Sequence, residues 1–377
     1  LFHAAVKLNR HRVALRYLET AEPDSQPIVY TYERMGELAL QVGANLRDWG
    51  VALEDRVALM SEGRPEWSMS YFGILEVGAT AVPLDAQLSL EEIANLLRAS
   101  ESKVFIISDK VCERLAEDAE LSFSEGGERD AVVAALAESG AKVVAFEEVM
   151  EEIKEQEPLE APPRRGDRVA SLIFTSGTTG QPKGVMLTHK NLTSMSSKLS
   201  ATFKLYKHDG LLSVLPLHHT FEFAAGLMMP LVHGSSITYL DELNADALSA
   251  GFKCGHITGM VGVPALWQLL HRKVRKRISE RGPLVERAFD AILDVNRAMR
   301  DKTPFDLDLG RLVVFPVHRE CGGRSRRWSS GGSGVSPAVL RWCRGLGCQR
   351  CEGYGVTEAA PVWAGQRPGD AVSEGGG

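Results

Sequence analysis

The 377-residue sequence predicts an α/β fold built on mostly parallel sheets. Three observations carry that prediction. Arg56–Met60, Pro65–Val77 and Thr80–Pro83 read as strand, helix and strand, a βαβ unit whose apolar strands are buried on both faces. Leu211–Leu215, Ala224–Val232 and Ser236–Leu240 repeat the pattern further along. Turns rich in small residues follow the apolar strand Ser171–Phe174 and recur near the end of the chain, where ligands sit in open α/β sheets.

In order, Leu1–Leu8 reads as a helix, Ala14–Tyr17 and Ile28–Thr31 as a strand pair, and Tyr32–Trp49 as a longer helix. Thr31 is its N-cap and Gly50 its stop. Leu90–Ala99 is a helix leading to the all-apolar strand Val104–Ile107. Residues 109–165 are charged and helical, end in Pro162-Pro163-Arg164-Arg165, and are expected to form a solvated lobe. Asn191–Leu199 begins the next helix. His256–Val263 is a strand ended by Pro264, and Ala265–Arg277 a helix that becomes strongly basic. A membrane or an acidic partner could meet that run; the preferred reading is a solvated helix end whose cations favour the C-terminal dipole. Arg311–Phe315 is one more strand.

An apolar fraction of 44% supports a sizeable core and two or three domains. Net charge is -6 with both signs spread along the chain, which speaks against a nucleic-acid partner. There is no charged-then-apolar leader and no apolar run of about eighteen residues, so neither a signal peptide nor a membrane span is expected. The chain opens on Leu1, partway into a helix, and is expected to be a fragment. Cys348 and Cys351 have zinc-ligand spacing, but the other cysteines supply no second such pair, and reduced cytosolic thiols are expected.

The chemistry is announced by Thr175–Gly184, TSGTTGQPKG. Gly177 and Gly180 let the backbone turn its N–H groups toward an anion. Thr175, Ser176, Thr178 and Thr179 add neutral donors, and Lys183 adds a charge. Pro182 stands before the lysine and Gly184 after it, so this is not the common nucleotide-triphosphate loop. A small-residue surface loop is the plain alternative.

That string resembles the signature loop of the adenylate-forming superfamily of acyl-CoA synthetases, peptide-synthetase adenylation domains and luciferases. Glu352–Pro361 (EGYGVTEAAP) resembles the family's second signature. By that resemblance Gly353, Tyr354, Gly355 and Thr357 hold the nucleotide, with Tyr354 against adenine, and Glu358 ligates Mg²⁺. PLHHTFE, Pro216–Glu222, resembles the histidine loop that lies beside the acyl carboxylate, which implies substrate roles for His219 and Glu222. Val263, Gly331, Gly332 and Ser333 would line the acyl pocket. Thr175, Lys183, His219 and Glu358 would be the catalytic set.

GRPEW (63–67), PLDAQLS (83–89), PVHRE (316–320) and SGGSGVSP (330–337) are similar to bacterial long-chain fatty-acid ligases, over nearly the whole chain. The resemblance implies the large N-terminal domain of the acyl-CoA synthetase type, with stacked, mostly parallel sheets and flanking helices. Residues 1–165 would form a first subdomain, with a variable lobe at 109–165, and 166–377 a second. The reaction implied is ATP-dependent formation of an acyl-adenylate, then transfer of the acyl group to coenzyme A. The partners are a long-chain fatty acid and coenzyme A, in the cytoplasm, with peripheral contact at the inner face of the membrane compatible with a lipid substrate.

After Pro361 the sequence departs from the family. The ribose-binding Asp, the hinge and the small C-terminal domain with its lysine are not matched, so adenylation is expected to be slowed by several orders of magnitude, as positioning and charge stabilisation are lost. Ser325, Ser329, Cys348, Gln349 and Arg350 stand where relatives have apolar strand residues, and the strand leading into Glu352 is expected to be compromised. An acyl-carrier-protein ligase, a fatty-acyl-AMP ligase and a non-catalytic nucleotide- or acyl-binding protein are the alternatives.

Overall fold

The computed structural model describes the chain apart from residues 21–24, 120–126, 152–158, 160–164, 176–181, 203, 303–323, 325–326, 332–334, 348, 355–363 and 366–377. The first half contains α1 (Phe2–Asn9), β1 (Val13–Leu18), β2 (Ile28–Thr31), α2 (Tyr32–Asp48), β3 (Arg56–Met60), α3 (Pro65–Glu76) and β4 (Thr80–Pro83). It continues through α4 (Leu90–Ser100), β5 (Ser102–Ile107), α5 (Asp109–Asp118), α6 (Gly127–Leu136), β6 (Lys142–Ala145) and α7 (Phe146–Met150). Next come β7 (Val169–Thr175), β8 (Lys183–Thr188), α8 (His189–Thr202), β9 (Gly210–Leu212), α9 (Thr220–Glu222), the π-helix Phe223–Met228 and α10 (Met229–Val232). The last are β10 (Ser236–Leu240), α11 (Ala245–Cys254), β11 (Gly259–Gly262), α12 (Pro264–Ser279), α13 (Pro283–Lys302), β12 (Arg327–Gly331), α14 (Pro337–Gly345), β13 (Gln349–Tyr354) and β14 (Ala364–Gly365).

The strands form two sheets. One has the order β14-β13-β12-β11-β9-β10-β1-β2 and the other β6-β5-β3-β4-β7-β8. All pairings are parallel except those of β2, β14 and β8. The sheets exchange strands across residue 165: β1 and β2 join the later strands, and β7 and β8 join the earlier ones. Local signals start the helices as the sequence suggests. Thr31 accepts from the Arg34 N–H at 3.1 Å, and Ser89 and Glu92 form a reciprocal capping box.

Helix α3 explains how the sheets are held together. PEWSMSYFGILE is apolar on every face, as a helix buried on all sides must be. Ser68 meets the Tyr239 hydroxyl of one sheet at 2.8 Å, and Tyr71 meets the Ser171 hydroxyl of the other at 2.5 Å. Trp67 and Tyr71 are sealed from water, each contributing about 2 kcal/mol of burial. A Cβ on Gly73 would lie 2.5 Å from Val42, so only glycine lets α2 and α3 approach this closely.

Three sequence expectations are corrected. The lobe at 109–165 is not only solvated: β6 extends the six-stranded sheet, and Val111, Leu115, Val132 and Leu136 are buried beneath it. Its charges occupy the outer face and hide the short apolar strand KVVA. The helix expected at Ala224–Val232 is a six-residue π-helix followed by a short α-turn. The ladder at the polar segment forms in register, with Ser330 opposite Glu352 and Gly331 opposite Gly353, because backbone pairing does not depend on the side chains. The cost appears at the buried Ser330 hydroxyl, which has no partner. The strand expected at Arg311–Phe315 and Cys348 of the zinc reading lie outside the described residues.

Candidate active site at the facing sheet edges

The phosphate-loop string is a hairpin. β7 and β8 run antiparallel, and their last register pair is Thr175 with Lys183, so the hydroxyl and the cation flank the loop they close. Thr175 is half-buried and Lys183 exposed. Strand β8 was not anticipated; the β-branched and apolar run after Gly184 was its signal. Ser176, Gly177, Thr178, Thr179 and Gly180 lie outside the described residues.

The histidine loop leaves the C-terminal end of β9 and returns into the π-helix. The two rings of His218 and His219 lie 4.2 Å apart. His219, the residue expected to act, is exposed, whereas the His218 side chain is only 13% exposed, with Nε2 3.5 Å from an Asp85 oxygen. Burial, and then the neighbouring His219, pull His218 down to about 4, with Asp85 opposing. It is therefore neutral at physiological pH. Asp85 follows β4 of the six-stranded sheet, so this contact joins the C-terminal edges of the two sheets.

Glu222 is wholly buried. Ser213 donates to its Oε1 at 2.6 Å, Oε2 has no partner, and burial pushes the carboxyl up to about 8. A Cβ on Gly226 would stand 2.1 Å from Oε1, so the glycine makes room for the acid. The π-helix begins at the next residue, and such distortions recur at functional sites.

Val263 lies just beyond β11 as the N-cap of α12. Gly331 ends β12, and Gly353 and Tyr354 end β13. Gly332, Ser333, Gly355, Thr357 and Glu358 lie outside the described residues. Strands β9, β11, β12 and β13 are parallel neighbours, so His219, Val263, Gly331, Gly353 and Tyr354 hang from one edge of the eight-stranded sheet, the edge that faces Asp85, while Thr175 and Lys183 belong to the other sheet. Sequence reasoning assigned no site role to Asp85, His218, Ser213 or Gly226. The doubled histidine and the acid after β4 were the available signals. Among the described residues no cluster of His, Cys, Asp or Glu could hold a metal. Glu358, the residue expected to ligate Mg²⁺, is outside the described residues.

Known proteins with similar sequences and folds agree with one another. The human long-chain-fatty-acid–CoA ligase 1 is 29% identical over 375 residues, covering 94% of this chain and 52% of the relative. FadD15 of Mycobacterium bovis, a long-chain-fatty-acid–CoA ligase, is 31% identical, covering 88% and 57%. A chloroplastic long-chain-fatty-acid–[acyl-carrier-protein] ligase of Arabidopsis thaliana is 25% identical, covering 89% and 52%. The chain spans about half the length of the curated relatives it matches. ATP-bound MatB from Rhodopseudomonas palustris shares the fold, with a TM-score of 0.70, 20% identity, and coverage of 98% of this chain and 62% of MatB. The family model described as AMP-binding enzyme matches residues 2–376. With nearly every residue inside that match, the chain belongs to the AMP-binding enzyme family.

Proposed function

We propose that this chain is the large domain of an AMP-forming long-chain fatty-acid ligase that makes an acyl-adenylate and passes the acyl group to coenzyme A. The observation that carries the reading is the contact of His218 with Asp85, which sets the Thr175–Lys183 hairpin edge against the histidine-loop edge. The relatives named as long-chain-fatty-acid–CoA ligases support the substrate class.

ATP would lie with its phosphates against the hairpin, where Thr175 donates a hydrogen bond and Lys183 places a positive charge. Tyr354 would present its ring to adenine, within the loop that holds Gly353, Gly355 and Thr357. Glu358 would hold Mg²⁺, whose positive charge would offset that of the phosphates. The fatty-acid carboxylate attacks the α-phosphorus, an acyl–phosphate bond forms, the bond to the β-phosphate oxygen breaks, and pyrophosphate leaves. The coenzyme A thiolate then attacks the acyl carbon and AMP departs. Neutral His218 and neutral Glu222 place no anion beside the incoming carboxylate. Val263 and the loop Gly331–Ser333 would border the acyl chain, and His219 the carboxylate.

The test is binding of ATP, palmitate and a non-hydrolysable palmitoyl-adenylate analogue by titration calorimetry, with palmitate-dependent exchange of labelled pyrophosphate into ATP. The expected result is an analogue bound at least about tenfold tighter than either substrate, and ATP affinity reduced about tenfold by Lys183→Ala. An analogue bound no better than palmitate would refute the reading.

A further inference from the structure

We infer that the outer face of the α12–α13 hairpin docks onto an anionic lipid surface. The two helices are joined at Gly282, whose φ of +103° makes the turn, and Arg275 of α12 reaches Glu286 and Asp290 of α13. They therefore lie side by side. Their inner faces are buried through Leu266, Trp267 and Ile278 on one helix and Phe289, Leu293 and Asn296 on the other. Gly345 of α14 packs close beneath Leu293, within 2.9 Å of where a Cβ would stand.

The outer faces differ in kind. On α12 the exposed stripe holds Leu269, Arg272, Lys273 and Lys276. On α13 the exposed positions include Leu284, Ala288, Ala291, Val295 and Ala298, spaced by alternating fours and threes, which keeps them on one side of the helix. Leu284 is 78% exposed and Val295 57%. The sequence alone showed the basic run, and the apolar stripe beside it emerges only from the pairing of the helices.

Charge selects the partner. Among the described residues Arg272, Lys273 and Lys276 carry no ion pair, and Arg281 and Arg287 add exposed cations at the hairpin tip. Of the nearby acids, Glu286 and Asp290 face Arg275, Asp294 pairs with Arg297 at 3.1 Å, and Glu280 is an exposed acid at the hairpin tip, outnumbered by the cations around it. The face is thus positive on a chain whose net charge is -6. A row of cations beside an apolar strip is what binds phosphate headgroups while burying side chains at the acyl boundary. A second copy of the chain would bring the same cations together. The choice of a lipid surface rests on the fatty-acid reading, since a ligase stationed there would meet its substrate where it partitions.

The experiment is vesicle co-flotation of the chain with phosphatidylcholine alone and with an equimolar phosphatidylcholine–phosphatidylglycerol mixture. It is run for wild type, Arg272→Gln/Lys273→Gln/Lys276→Gln and Leu284→Asp/Val295→Asp, with thermal melts to show that each folds. Wild type is expected on the anionic vesicles only. The triple variant should bind about a hundredfold more weakly, at roughly fivefold per cation lost, and the apolar pair should also be released. Binding absent from both vesicles, or unchanged by both variants, overturns the proposal. So does a dimer in sedimentation velocity that Leu284→Asp/Val295→Asp dissolves, or binding to polyglutamate without binding to vesicles; these would assign the face to a second copy or to an acidic protein. The two readings fail separately. Loss of vesicle binding with the adenylate analogue still bound removes only the docking surface, and the reverse removes only the ligase.

Discussion

The edges of the two sheets meet where His218 approaches Asp85, and they are built in opposite ways. The edge of the six-stranded sheet presents Thr175 and Lys183 at the mouth of a hairpin, with the lysine in water. The edge of the eight-stranded sheet leaves His219 exposed but hides two other ionisable groups: His218 is drawn down to about 4 and Glu222 pushed up to about 8, both mainly by burial. In the proposed function a polyphosphate would bring its own charge and be met by a solvated cation that can reorient onto it. The fatty-acid carboxylate of that proposal would be better met by groups held neutral, since an ionised Glu222 would repel it.

Each edge can be broken in its own way, and the largest effect should come from the buried one. Gly226→Ala puts a methyl 2.1 Å from Glu222 Oε1 and should cost about 3 kcal/mol, read as a fall in urea midpoint at constant slope. Adding Glu222→Ala should recover part of that loss, because the two substitutions share one contact. A silent Gly226→Ala would mean that the buried edge is not rigidly packed.

Glu222 also makes stability depend on pH. Its folded carboxyl titrates higher than the unfolded one, so the folded chain binds the extra proton between 4.5 and about 8. Stability should therefore fall as pH rises through that window and level off above it, by a few kcal/mol at most (about 2–4). In Glu222→Gln the slope should vanish and the melting temperature at pH 8 should exceed that of wild type. Parallel stability curves for the two proteins would show that the acid is ionised or hydrated.

Lys183→Ala should do the reverse, leaving stability within about 0.5 kcal/mol while ATP binds about tenfold more weakly. A large loss of stability there would make the lysine a structural part of the hairpin. The smallest effect is expected from Asp85→Asn. Removing the carboxylate 3.5 Å from His218 should lower the histidine's titration further, seen by NMR, because Asp85 opposes the downward shift. An upward movement would mean that Asp85 does not face the ring.

Much of the fold was legible where the signal is local. Arg56–Pro83 reads as strand, helix and strand because its periodicity and turn residues lie within one short stretch, and Thr31 caps α2 through a bond three residues long. The strand entering the phosphate loop was legible for the same reason, whereas β8 after it was not. Strand β6 was not, since Lys142–Ala145 is short and sits among acids whose solvated face dominates the composition. In the histidine loop, which of the two adjacent rings approaches Asp85 was not legible, because Asp85 lies more than a hundred residues earlier in the chain.

By itself the sequence determined the kinds of element, the turn chemistry that starts and stops them, and the two strings that mark the chain as an AMP-binding enzyme, because each of these rests on neighbours within a few residues. Only the tertiary structure decided that β1 lies beside β10, that β7 lies beside β4, and that burial draws His218 down and pushes Glu222 up. Strand partners and protonation states follow from which distant groups exclude water, and desolvation is a property of the packed chain.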